Sequence, residues 1–306
     1  MRSCANIPAA APSARACLLV LAAAALGCAS KAGAQPGPQS PERQSDAEYD
    51  LARDLFDKGQ PRAALDHALK AVSLNDDNDR AQYFVAVINL SFCSTNRGLE
   101  APDCHLSVVE KHARAALKAN PHFRDASNML GQVLINEKKY AEAIAVLEPL
   151  TRDLAYVNPY FAWGNLGWAQ VEDGQIDAGI ASLKNAIAAE PRFCVGQYRL
   201  GMAFEKKGDF ALAEQSFTSA VTSPDPNCES LQDAWEARGR ARLKLGRAAE
   251  ARQDFERCRQ ISTETSTGKS CIRQLATLPA ASSEAPPKLQ KGASRELAKP
   301  TMMRTT

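Results

Sequence analysis

Residues 159–191 constrain the fold of this chain more than any other stretch, because they describe two short amphipathic helices separated by a turn. They read PYFAWGNLGWAQVEDGQIDAGIASLKNAIAAEP. Gly167 and Gly179 place small residues where the two helices of one hairpin cross closely, and Leu183 fills space beside that crossing. Gly174 interrupts the helical pattern between them. One such hairpin cannot bury its apolar face alone, so it requires similar neighbours.

The rest of the chain supplies these neighbours at a spacing of about 34 residues, which is the spacing of the tetratricopeptide repeat. Small and large apolar residues recur through residues 46–278 and predict six hairpins. Repeat two carries an insertion around residues 96–103, and residues 268–278 predict a short closing helix that shields the last apolar face. We therefore predict an all-α fold, a right-handed superhelical solenoid of six hairpins with a C-terminal capping helix.

The N-terminus predicts export from the cytoplasm. Residues 17–27 form an apolar run that follows two arginines and is too short to span a bilayer, so residues 1–27 predict a signal peptide. The sequence ALGC at residues 25–28 resembles a bacterial lipobox, in which Cys28 would carry the lipid. The alternative is cleavage after the small residues 32–34, which would release a soluble periplasmic protein.

Two further segments lack helical periodicity. Residues 28–45 are polar and rich in proline and glycine, which predicts a flexible tether between the lipidated cysteine and the repeats. Residues 279–306 are rich in alanine, serine, proline and lysine, which predicts a disordered basic tail.

The cysteines agree with export. Beyond the signal peptide and Cys28, an even number remains, and in an exported chain this favours disulfides over free thiols. Several connectivities are open, but pairs of sequence neighbours fit the repeat register best. The predicted pairs are Cys93–Cys104, Cys194–Cys228 and Cys258–Cys271.

No catalytic constellation is present in the sequence, so we expect no enzyme, no cofactor and no small-molecule substrate. The formal net charge is +2, which gives no indication of nucleic-acid binding. Residues 267–270 (TGKS) lack the first glycine that a phosphate loop requires. One alternative is a zinc site at Cys93, Cys104, His105 and His112, but their spacing matches no usual ligand pattern and we expect no metal.

A solenoid of this type presents a surface rather than a reaction centre. The first helix of each repeat lines the concave face, and several aromatic residues occupy positions that point into it. Such residues suit a partner peptide with apolar anchors, whereas the alternative is that some of them pack between helices. The predicted partner-binding residues are Tyr49, Phe56, Tyr83, Asn128, Gln132, Phe161, Trp168, Tyr198, Met202 and Arg240.

The combination of export signal, lipobox, six repeats and paired cysteines resembles the outer-membrane pilotins of type IV pili, the lipoprotein family of Tgl, PilF and PilW. Residues 158–174 and the segment AWEARG at residues 234–239 carry the resemblance. It implies a protein anchored by lipid to the periplasmic face of the outer membrane. It also implies binding to a secretin subunit and promotion of secretin assembly into a ring, needed for pilus extension and motility. The alternative is a general periplasmic scaffold for envelope assembly.

Overall fold

A computed structural model of the chain describes residues 40–93, 101–226 and 228–278, which form thirteen α-helices and no strand. The predicted all-α class is confirmed. In chain order the helices are α1 (Pro41–Asp57), α2 (Pro61–Leu74), α3 (Asp79–Phe92), α4 (Leu106–Ala119), α5 (Arg124–Asn136), α6 (Tyr140–Thr151), α7 (Pro159–Glu172), α8 (Ile176–Ala189), α9 (Cys194–Lys207), α10 (Phe210–Val221), α11 (Gln232–Lys244), α12 (Ala248–Ile261) and α13 (Ser266–Thr277).

Consecutive helices pack as six hairpins, from α1 with α2 to α11 with α12. The glycines at the crossings explain how closely the helices approach. A Cβ atom on Gly167 would lie 2.7 Å from Cγ of Leu183 and 2.9 Å from the carbonyl oxygen of Gly179. Equivalent glycines face Phe217 in repeat five and Phe255 in repeat six. A larger residue at these positions would push the two helices apart, as the sequence pattern predicts.

The first helices of successive repeats lie side by side in the register of the repeat. Asp46 of α1 pairs with Arg80 of α3 at 2.8 Å, and the two residues are 34 positions apart. Glu172 of α7 pairs with Lys206 of α9 at 2.8 Å over the same separation. Residues that are one repeat apart in sequence therefore lie opposite each other on adjacent first helices. This regular stacking of repeats is a solenoid.

Helix α13 continues this stack. The hydroxyl groups of Thr267 and Ser270 donate hydrogen bonds to Asp233 and Glu236 of α11, each across 34 residues. Helix α13 therefore stands where the first helix of a seventh repeat would stand, and the predicted capping helix is confirmed.

The three predicted disulfides are present. Their Cα–Cα distances are 4.5, 5.8 and 6.2 Å in chain order. The first closes the insertion of repeat two, the second joins the start of α9 to the loop before α11, and the third holds α13 against α12. The disulfides join Cys93 to Cys104, Cys194 to Cys228 and Cys258 to Cys271.

Helix α1 begins before the predicted end of the tether. It starts at Pro41 rather than at residue 46, because the side chain of Ser40 accepts a hydrogen bond from the backbone N–H of Arg43 and proline suits the first helical position. Residues 41–45 are therefore helical, and Ser45 is fully buried.

The other predictions for the chain ends lie outside the described residues. These are the signal peptide at residues 1–27, the lipidated Cys28, residues 28–39 of the tether and the basic tail at residues 279–306. None of the helices in the described part of the chain combines the length and apolar character that crossing a membrane requires.

Candidate functional site

The first helices form one continuous surface, which we call the inner face. Contacts join α1 to α3, α5 to α7, α7 to α9, α9 to α11 and α11 to α13, and Ala86 of α3 shares a core cluster with Met129 of α5. All ten predicted partner-binding residues lie on these helices. Nine of them are half-buried, and Phe161 is exposed, with 38% of its surface accessible. The inner face therefore presents edges of side chains rather than freely projecting rings.

At its N-terminal end the inner face is aromatic. Tyr49 and Phe56 of α1 both pack edge-on against Phe84 of α3, with ring centroids 5.8 and 5.6 Å apart. Tyr83 packs against Phe123 at 4.7 Å. Burial, followed by the nearby carboxylate of Asp125, raises the pKa of Tyr83 to about 12. These rings are held by their neighbours and form part of the wall of the solenoid.

The centre of the inner face carries a row of polar side chains on three successive helices. Asn165 of α7 donates a hydrogen bond to the side-chain oxygen of Asn128 on α5, at 3.0 Å. Arg199 of α9 donates from Nη1 to the side-chain oxygen of Asn165 at 2.8 Å and to the carbonyl oxygen of Gly164 at 3.1 Å. Gln132 is half-buried one turn after Asn128. The row can offer hydrogen-bond donors to a partner.

Apolar groups flank this row. The ring of Phe161 contacts those of Tyr160 and Phe193, at centroid distances of 4.2 and 5.8 Å respectively. The three rings form one aromatic group. Trp168, one turn after Gly164 on α7, packs against the two largest core clusters, and Nζ of Lys206 lies 5.6 Å from its ring. Trp168 therefore both joins the repeats and shows one edge on the inner face.

At the C-terminal end the inner face is charged. Arg240 of α11 donates to Glu205 at 2.7 Å and to Glu236 at 2.8 Å, and it approaches the sulfur of Met202. Tyr198 packs against the core clusters of repeats five and six. Burial raises the pKa of Tyr198 and also that of Glu205, where Arg240 opposes the rise. The charges at this end are satisfied within the chain.

Comparison with known proteins identifies the family to which this architecture belongs. The family model described as tetratricopeptide repeat matches residues 49–92, 110–152, 165–227 and 198–263, which together cover more than half of the chain. The chain belongs to the tetratricopeptide repeat family. No curated protein matches it in sequence.

Solved structures with this tetratricopeptide fold include the crystal structure of PilW, a widely conserved type IV pilus biogenesis factor. Its similarity has a TM-score of 0.61 at 20% identity and covers 74% of this chain and 98% of PilW. PilF from Pseudomonas aeruginosa gives a TM-score of 0.58 at 14% identity, covering 77% of this chain and 100% of PilF. A human IFIT1 dimer with m7Gppp-AAAA gives 0.56 at 13% identity, covering 74% and 52%. At these identities the similarity establishes the fold alone.

The zinc alternative fails on geometry. Cys93 and Cys104 are joined to each other in a disulfide, so neither is a free thiolate. His112 is buried and its Nδ1 bonds to the side-chain oxygen of Gln82 at 2.7 Å. Burial, followed by the charge of Lys111, lowers the pKa of His112. Among the described residues no group of three or more suitable side chains could hold a metal ion.

Sequence reasoning missed Arg199, Asn165 and Phe193 as parts of the inner face. A usable signal exists, because the position after Asn128, Gly164, Tyr198 and Glu236 is buried or half-buried in every repeat beyond the first. That position is apolar in repeats two, three and six, but it holds Asn165 in repeat four and Arg199 in repeat five. A charge at an otherwise apolar position marks a candidate functional residue.

In the loop between α6 and α7, where the sequence shows that the repeat register slips by two residues, sequence reasoning missed the exposure of two apolar side chains. Tyr156 is buried there, while Leu154 and Val157 are almost fully exposed, at 102% and 87% of their surface.

Proposed function

We propose that this protein is a lipid-anchored pilotin on the periplasmic face of the outer membrane. It binds a secretin subunit of the type IV pilus and promotes assembly of that subunit into a multimeric ring, which pilus extension and pilus-driven motility require. It acts as a binding protein and not as an enzyme. Lipid on Cys28 provides the location, and the inner face provides the specificity.

One observation carries the proposal. The structural match covers 74% of this chain and 98% of PilW, and 77% of this chain and 100% of PilF, so the similarity extends over nearly the full length of both solved proteins. PilW is described as a type IV pilus biogenesis factor. Export and the lipobox-like sequence before Cys28 are consistent with the same role.

The inner face supports binding of an extended protein segment. It offers half-buried aromatic edges from Tyr49 to Tyr198, a polar row in the centre and paired charges at the C-terminal end. Such a surface lets a segment insert apolar anchors while its backbone bonds to polar side chains. By holding one segment of each secretin subunit, the protein would keep subunits at the membrane while the ring assembles.

The decisive experiment compares heat-resistant secretin multimers by immunoblot in cells with and without this gene. We expect the multimer to disappear while secretin monomer remains, and complementation to restore it. An undiminished multimer would overturn the proposal and favour a general periplasmic scaffold for envelope assembly.

The anchor is tested separately with Cys28→Ser. We expect this variant to move from the membrane fraction to the soluble periplasmic fraction and to leave secretin multimers unassembled or mislocalised. Retention of Cys28→Ser in the outer membrane would show that the lipid is not the anchor. Normal assembly by a soluble form would favour cleavage near residue 34.

A further inference from the structure

Arg199 on α9 is a cation deep in the inner face without a carboxylate beside it. Its Nη1 atom is taken up by the carbonyl oxygen of Gly164 and the side-chain oxygen of Asn165, both of which are neutral. Among the described residues no acceptor bonds to its Nε or Nη2, and neither of these atoms is sealed from solvent. The guanidinium is therefore half satisfied, and the side chain is largely but not completely buried.

Isolation of this kind is unfavourable for the free protein. Transfer of a charge from water into the protein interior raises its free energy unless an opposite charge compensates. Burial lowers the pKa of Arg199 to about 10; the charge of the Tyr198 phenol opposes this shift, and no carboxylate contributes to it. An anionic group of a binding partner would supply the missing counter-charge.

Other cations of the inner face show the contrast. Arg80 pairs with Asp46, Lys206 pairs with Glu172, and Arg240 pairs with two glutamates. Arg53 has no such pair but is exposed to water. Arg199 differs from all of these because it is withdrawn from solvent while its surroundings are neutral.

The groups next to Arg199 indicate what the anion belongs to. On α7, Phe161 lies one turn before Asn165 and Trp168 lies about one turn after it, while Phe193 packs against the Cα position of Gly164. Along the axis of α7, apolar side chains thus lie on both sides of Asn165, to which the guanidinium bonds. A small inorganic anion would leave these groups uncovered, whereas a peptide with apolar residues around an acidic one would cover them.

We propose that Arg199 binds the carboxylate of an aspartate or glutamate side chain within an extended partner segment, with apolar residues of that segment packing on Phe161 and Trp168. The proposal rests on the proposed function only in taking the inner face as the partner-binding surface. An internal side chain is favoured over a chain terminus because the inner face continues past Arg199 in both directions, through α5 and α3 on one side and α11 and α13 on the other.

A peptide library displayed on phage tests this directly. Peptides joined to the coat protein through their C-termini have no free terminal carboxylate, so any acidic selection reports side chains. With the full chain purified in detergent as bait, we expect enrichment of Asp or Glu flanked by apolar residues. Selection without acidic enrichment, or no selection at all, would overturn the proposal.

Synthetic peptides make the result quantitative without any protein variant. A selected peptide, amidated at its C-terminus, is compared with its Glu→Gln counterpart by fluorescence anisotropy. Because hydrogen bonds to charged groups contribute more than neutral ones, we expect Gln to weaken binding by about tenfold to hundredfold. Equal affinities of the two peptides would contradict an acid-binding role.

Arg199→Gln then assigns the effect to the residue. We expect this variant to bind the Glu peptide and the Gln peptide equally, since the amide keeps a hydrogen bond but loses the charge. The matched control is Lys207→Gln on the same helix, which removes the same charge from an exposed residue paired with Asp177 and should retain the preference for Glu. Persistence of the Glu preference in Arg199→Gln would place the anion site elsewhere.

The two proposals can fail independently. Intact secretin multimers in the absence of the gene, together with Glu-dependent peptide binding, would remove the pilotin role and leave the acidic subsite. Loss of multimers together with peptides that ignore Arg199 would do the reverse.

Discussion

Two arginines on neighbouring helices of the solenoid experience opposite surroundings. Arg238 of α11 lies under repeat six with 9% of its side chain exposed, and it bonds to Asp254, which is 1% exposed, at 2.6 Å. Arg242 adds a second bond to Asp254 at 2.9 Å. Arg199 of α9, one repeat earlier, bonds only to a neutral amide and a carbonyl group.

The difference distinguishes charged groups that stabilise the fold by pairing with each other from a charged group that remains available to bind a partner. The carboxylate of Asp254 is enclosed by two guanidiniums, and the ring of Trp235 lies 4.8 Å from the guanidinium of Arg238. Burial raises the pKa of Asp254, and the two arginines oppose that rise. The buried charges of repeat six are thus balanced within the repeat. At the centre of the inner face, by contrast, the charge of Arg199 has no counter-charge among the described residues.

Asp254→Asn should have the largest effect on stability. It removes the negative charge between two buried cations, and breaking a buried pair from one side costs about 3–5 kcal/mol. Urea denaturation followed by circular dichroism measures this loss. A loss under 1 kcal/mol would show that the network is far better hydrated than its burial indicates.

A matched surface change sharpens this result. Glu250→Gln removes a carboxylate from the same helix, where it pairs with Arg247 and is 42% exposed. We expect a much smaller loss than for Asp254→Asn, because exposed pairs contribute little. A similar loss in both variants would mean that burial is not what distinguishes Asp254.

The disulfide between α12 and α13 gives the next largest effect. Cys258→Ser with Cys271→Ser removes a link that closes a loop of 13 residues, worth about 3 kcal/mol in the chain-entropy model. Because α13 caps the last repeat, we expect proteolysis near Gly268 at concentrations of protease that spare the oxidised protein. Cleavage that begins in α7 or α9 instead would indicate that the centre of the solenoid is the weaker region.

Arg199→Gln should scarcely change stability, in contrast to Asp254→Asn. Removal of a buried charge that has no counter-charge relieves its desolvation, so we expect a change of about 1 kcal/mol or less, towards greater stability. The same urea titration measures it. A loss as large as that of Asp254→Asn would show that Arg199 is a structural residue.

The sequence predicted the solenoid well because its determinants are local and periodic. Gly167, Gly179 and Leu183 mark one crossing, and the same pattern repeated at 34 residues places every hairpin. The disulfide pairs followed from that register. The predicted start of α1 was five residues too late. Ser40 followed by Pro41 is nevertheless a recognisable helix-start signal within an otherwise polar run.

The site was less predictable, because its properties depend on neighbouring repeats. Periodicity placed Trp168 and Phe161 on the first helix of repeat four, but only packing decides that Trp168 is wedged between core clusters while Phe161 remains exposed. The isolation of Arg199 is likewise a property of α7 and α9 together. No local pattern reveals that the described residues bonded to Arg199 are all neutral.

A charge cluster on repeats two and three should have the smallest effect on stability. It serves as a reference for the arginines Arg238 and Arg199. Glu110 pairs with Arg114 at 2.7 Å and with Lys139 at 2.8 Å. The hydrogen bond from Lys139, with a further one from Arg114, lowers the pKa of Glu110 from 4.5 to about 2. Between these values the unfolded chain binds more protons than the folded chain, so the stabilisation is complete above 4.5 and is lost as the pH falls towards 2.

Glu110→Gln should therefore lower stability slightly at neutral pH, by less than about 1 kcal/mol, and this deficit should shrink below pH 4.5 and vanish below about pH 2. Thermal melts of both proteins at several pH values measure the deficit. For Arg199→Gln the difference from wild type should stay constant over that acidic range, because the guanidinium remains charged throughout. Parallel melting curves for Glu110→Gln and wild type at every pH would show that the exposed cluster contributes nothing. A pH-dependent difference for Arg199→Gln would reveal a carboxylate acting on it after all.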